Sequence, residues 1–145
     1  MSSHLQSISE KIAQKAESYV GSTDWSFASS CCHGPNTNKC NYFVYDVGRR
    51  AGAKMPTRSL WRGPIGAGVG GWGTLNKVDY WYRVTSPQRG DVVAARYRNN
   101  VYHMGIYVAH KTTVSANSDN IGRNEWPFGT GGREGLDIVY WRYQG

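Results

Sequence analysis

Apolar residues recur at helical spacing twice in the first third of the chain and then give way to alternation. Between residues 7 and 20, Ile8, Ile12, Ala13, Ala16 and Tyr19 fall on one face of a helix. Ser7 or Ser9 is placed to cap its start and Gly21 to stop it. Between residues 40 and 51, Cys40, Phe43, Val44, Val47 and Ala51 repeat the pattern. Asn38 is a candidate N-cap for this second helix, Gly52 stands where a C-cap glycine belongs, and Pro56 follows. Residues 21–39, rich in Ser, Gly, Asn and Pro, read as a loop, and so does the glycine-rich stretch 57–78.

The remainder reads as strands. Residues 91–97 and 101–109 form a predicted hairpin turning over Arg98, Asn99 and Asn100. Residues 112–117 pair back as a third strand, and residues 136–143 close the sheet. Helices first and strands after predict an α+β fold, its N-terminal helices packed on an antiparallel β-sheet. No repeat or linker divides the 145 residues, so 1–145 is expected to be a single catalytic domain.

Charge and cysteine usage limit the classes. Lys and Arg total 17 against 10 Asp and Glu, a net charge of +7, and there are 10 tyrosines. That balance suits an anionic partner: nucleic acid, a membrane surface or an acidic cell-wall polymer. No stretch approaches the length of a membrane-spanning helix, so no membrane insertion is expected. The first fifteen residues lack the apolar core of a secretory signal. The chain is therefore expected to be made in the cytoplasm and to leave, if it leaves, by a route that reads no such signal. Three cysteines are too few for a disulfide framework, and adjacent Cys31 and Cys32 are poor partners for each other.

The candidate chemistry centres on Cys40. It falls at the predicted first turn of a helix, where free N–H groups and the positive dipole end favour a thiolate, and Lys39 adds a positive neighbour. In YHMGIYVA, Met104, Ile106 and Val108 point to one face of a strand and look like the packed side. His103, Gly105 and Tyr107 point to the other, where the glycine leaves room beside the histidine. A thiol at a helix start packed against a strand histidine is a nucleophile–base arrangement. A third polar group should fix the imidazole tautomer. With a turn over residues 109–112, the position facing His103 falls near 115–117, so Ser115 and Asn117 are both candidates and a one-residue slip decides between them.

The segments KAESYVGSTDW, NKCNYFVYDVGRRAGAKMP and RGDVVAARYRNNVYHMGIYVAHKTTVSANS resemble, in that order, the NlpC/P60 and CHAP families of cysteine amidases and endopeptidases of bacterial cell-wall peptide. The resemblance covers roughly residues 13–118 and implies a papain-like fold without cofactor or metal. It makes Cys40 the nucleophile and His103 the base. Ser115 falls where NlpC/P60 enzymes carry their third residue, usually His, and Asn117 remains open. The small basic chain is also similar to type VI secretion amidase effectors, toxins injected into the periplasm of a rival bacterium. That likeness implies peptidoglycan as substrate and a small cognate immunity protein as partner. Phage lysins share the chemistry.

Other features carry less. Gly66, Gly68 and Gly71 fit G-x-G-x-x-G without the strand and helix a dinucleotide site needs, so a mobile loop bordering the cleft is expected. Cys31, Cys32, His33 and Cys40 lack the pair spacing of a zinc site. His4, His110 and Asp46 read as surface residues, and Trp25 as packing or cleft wall. A nucleic-acid-binding module is the rival class, its densest basic and aromatic run being residues 96–102. A cysteine hydrolase or transferase acting on proteins is a second rival.

Overall fold

The structure is a computed structural model, and it describes residues 6–32, 34–59, 63–129 and 134–145. Its elements run α1 (Ile8–Ser18), α2 (Cys40–Arg50), β1 (Trp81–Val84), β2 (Val92–Arg96), β3 (Tyr102–Ala109), β4 (Thr112–Ala116), β5 (Ile121–Asn124) and β6 (Leu136–Tyr143). The strands form one antiparallel sheet in the order β1-β6-β2-β3-β4-β5.

Both helices form where the apolar spacing places them. Ser7 caps α1 by accepting from the Glu10 N–H at 3.0 Å. Gly21 then turns the chain at a left-handed φ of 93°. The faces follow the pattern: Ile12, Ala13 and Ala16 of α1, and Phe43, Val44 and Val47 of α2, are buried against Val92, Ala94, Met104, Ile106 and Val108. Arg89 fastens α1 to the sheet with ion pairs to Glu10 and Glu17 and a hydrogen bond to the Val108 carbonyl. Next to it, Gly90 takes a φ of 94° and lies so close to the Ser9 backbone that a Cβ would collide.

Four differences from the sequence reading bear on the site. Strands β1 and β5, four residues each, are too short to show a period of their own. The sheet face carrying His103 and Tyr107 is covered as well: Trp126 and Phe128 lie over Val93, Ala95 and Tyr107. The glycine-rich loop is pinned rather than loose. Trp72 and Gly73 donate to the carbonyls of Gly66 and Ala67, and the Trp141 indole N–H donates to the Trp72 carbonyl at 2.7 Å. Cys31 and Cys32, expected to stay apart, are bonded to each other, which leaves Cys40 as the free cysteine. His4 and His33 lie outside the described residues.

Candidate active site

Cys40 opens α2 and is buried, 5% exposed. The cap position is Lys39, one residue later than expected, but the Asn38 side chain does the capping work: its Oδ1 accepts from the Cys40 N–H at 3.1 Å. A helix start was expected to favour the thiolate. Burial outweighs it and pushes the Cys40 thiol up to about 11, against the N–H groups of Met104, Asn41 and Cys40 itself, which favour the charged form. Cys40 packs in one buried cluster with Met104 of β3, the residue after His103.

His103 stands near the outer end of β3, on the face opposite Met104 and Ile106. Trp126 meets its ring edge-on at 4.7 Å, and Tyr97 stacks at 6.5 Å. Burial drives its pKa down to about 4, so the imidazole is neutral at neutral pH. His103 shares a cavity of about 330 Å³ with Asn38, Lys39 and Asn117, walled by Phe27, Thr37 and Tyr97. No acidic side chain lines this cavity among the described residues. Cys40 itself is not on the wall of this cavity. A larger cavity of about 460 Å³, bordered by Lys54, Lys77 and Tyr80, holds neither cysteine nor histidine.

The two third-residue candidates sit differently. Strands β3 and β4 pair Ile106 with Val114 and Tyr107 with Thr113. The paired register ends there, so it gives His103 no partner on β4. A Cβ on Gly105 would meet Ser115 Cβ at 2.8 Å, so the glycine is what lets Ser115 lie across the strand. Ser115 is fully buried and does not line the cavity, whereas Asn117 lines it with His103. Ser115 Oγ donates to Asn117 Oδ1 at 3.5 Å, a long bond that links the two.

Lys39 was expected to act as a charged neighbour of the thiol. Its side chain is instead buried, and Nζ donates to the carbonyls of Ser26, Phe27 and Thr37 at 3.0, 3.2 and 3.0 Å. That uses all three ammonium donors and ties the loop before α2 to the helix start. Asp46 accepts from the Trp25 indole at 2.9 Å, and Trp25 packs edge-on to Phe43, so both serve the core behind the site. Trp126, Asn38 and Phe27 are site residues that the sequence pattern did not single out. The Asx signal at Asn38 was visible as a cap, but nothing local marks Trp126, which reaches His103 only through the fold.

The family model described as "NlpC/P60 family" matches residues 24–134, more than half of the chain and including both the helix that Cys40 opens and β3. No curated protein and no solved structure matches the chain.

Proposed function

The chain belongs to the NlpC/P60 family, cysteine peptidases and amidases of peptidoglycan, and on that premise we propose that it hydrolyses amide bonds of peptidoglycan peptides with Cys40 as nucleophile and His103 as base. The observation that supports the pairing is the packing of Cys40 in the same buried cluster as Met104, the residue after His103 on β3. At neutral pH both groups rest uncharged: the thiol is protonated and the imidazole is free to accept. The proton therefore moves from Cys40 to His103 as the sulfur attacks the carbonyl carbon, rather than from a standing ion pair. Collapse of the tetrahedral intermediate breaks the C–N bond, His103 protonates the leaving amine, and water then releases the acyl group from sulfur.

Asn117 is assigned the orienting role, because it shares the cavity with His103. Ser115 supports Asn117 through its hydroxyl hydrogen bond to Oδ1. The biological setting proposed is that of an antibacterial effector delivered to the periplasm of a rival cell, of the type VI secretion kind, with a cognate immunity protein. The small size, the +7 charge and the resemblance of the Cys40 and His103 blocks support it. The test is expression of the chain in the cytoplasm and, fused to a periplasmic signal, in the periplasm of a Gram-negative host. Lysis is expected only in the periplasm and only with Cys40 present. Equal toxicity in both compartments, or lysis by Cys40→Ala, contradicts the proposal.

A further inference from the structure

Attack on an amide carbonyl puts negative charge on its oxygen, and that oxygen needs hydrogen-bond donors already in place. At a helix start the nucleophile's own main-chain N–H is the obvious donor. Here the Cys40 N–H, besides lying near its own sulfur, donates to Asn38 Oδ1 at 3.1 Å and is not a free donor. Because the partner is an N–H, the carboxamide oxygen must face it, and the NH2 end must point the other way. Asn38 is exposed and lines the cavity with His103 and Asn117. No acidic side chain lines that cavity to compete for its donors among the described residues. The carboxamide is thus held at one end by the nucleophile's backbone and presents two N–H donors at the other.

We propose that Asn38 is a further catalytic residue, its Nδ2–H donating to the oxyanion formed when Cys40 attacks a substrate carbonyl. The inference rests on the assignment of Cys40 and His103 above. As the carbon–sulfur bond forms, the carbonyl π pair moves onto oxygen, and the Asn38 NH2 hydrogen-bonds to that oxygen. When the pair returns, the C–N bond breaks and the proton held by His103 leaves with the amine. Asn38 gains and loses no proton. Its oxygen end caps α2 while its nitrogen end serves the reaction, so the two roles separate by substitution.

Asn38→Asp keeps the acceptor and removes the NH2; Asn38→Ser keeps a neutral acceptor of capping type and also removes it. Both are expected to melt close to wild type and to lose about 10²–10³-fold in kcat with KM little changed. Alkylation of Cys40 by iodoacetamide forms no oxyanion, so its rate in Asn38→Ser should match wild type. Wild-type kcat in both variants overturns the inference. So does a fall in kcat matched by an equal fall in alkylation rate, because then Asn38 acts only on the thiol or the helix. Absence of turnover in the wild type overturns the hydrolase reading together with this one, whereas turnover that survives both substitutions overturns this one alone. A measurement on the unaltered chain guards against variants that fail to fold. Bound to a wall-peptide aldehyde, which forms a hemithioacetal at the cysteine, the Asn38 side-chain NH2 resonances should move strongly. Unmoved resonances in the inhibited protein overturn the assignment.

Discussion

Cys40 and His103 are displaced in opposite directions by the same cause, removal from water. Alkylation of Cys40 by iodoacetamide should therefore keep rising with pH through 9 and 10 toward its pKa of about 11; a plateau below pH 8 would show a thiolate already formed at rest. For His103 the folded pKa of about 4 lies below the ordinary 6.5, so between these values the unfolded chain binds more protons. The neutral imidazole thus costs no stability above about pH 6.5, and the loss grows as pH falls, reaching completion below about 4. Thermal melts from pH 7 to 4 should fall more steeply for wild type than for His103→Gln; parallel curves would contradict this. At the proposed third position Asn117→Ala is expected to lower turnover more than Ser115→Ala, while both keep more activity than His103→Ala, which removes the proposed general base, a role worth about 10²–10⁴-fold. The reverse order would return the orienting role to Ser115, where family position puts it. Sequence periodicity was enough to set Cys40 on a helix start and His103 on a strand. It did not show that both are dry, because the covering groups, Trp126 and the loop around Lys39, come from distant or aperiodic segments.

Among the elements, the loop before α2 depends most on a single side chain. Lys39 holds the carbonyls of Ser26, Phe27 and Thr37, and Phe27 also donates from its N–H to the Ser118 carbonyl at 2.7 Å. The loop is thereby fixed both to the helix start and to the β4–β5 turn. Lys39→Met removes the charge, keeps most of the stem and leaves three carbonyls without their donor. It is expected to cost about 2 kcal/mol net of the desolvation it relieves, or roughly 4–8 °C in Tm. An unchanged Tm in a calorimetric scan would show that the three bonds add nothing. Such a clamp is invisible in a sequence, where Lys39 reads as one more surface cation. Helices α1 and α2 were legible because eleven residues span three turns of a repeating face. Strands β1 and β5 were not, since their place in the sheet is set by long-range pairing with β6 and β4.

For the whole molecule the net charge of +7 was the least specific signal. The run at 96–102 that best suited nucleic acid is partly spent on the protein itself: Arg96 pairs with Asp137, and Arg98 with Glu134 at 3.1 Å. A labelled single-stranded oligonucleotide is therefore expected to show no tight, salt-dependent shift in fluorescence anisotropy, and tight binding at physiological salt would revive the nucleic-acid reading. What the fold does supply is one sheet that carries the helix-side core on one face and a tryptophan-covered histidine on the other, with the cysteine brought up against the strand between them. The most direct test of that arrangement is mass spectrometry of purified peptidoglycan fragments after incubation with the wild-type chain and with Cys40→Ala. The account predicts stem-peptide or cross-link fragments with one new amine and one new carboxylate in the wild-type digest, and none with Cys40→Ala. The same fragments from both proteins, or intact peptides from both, would contradict it.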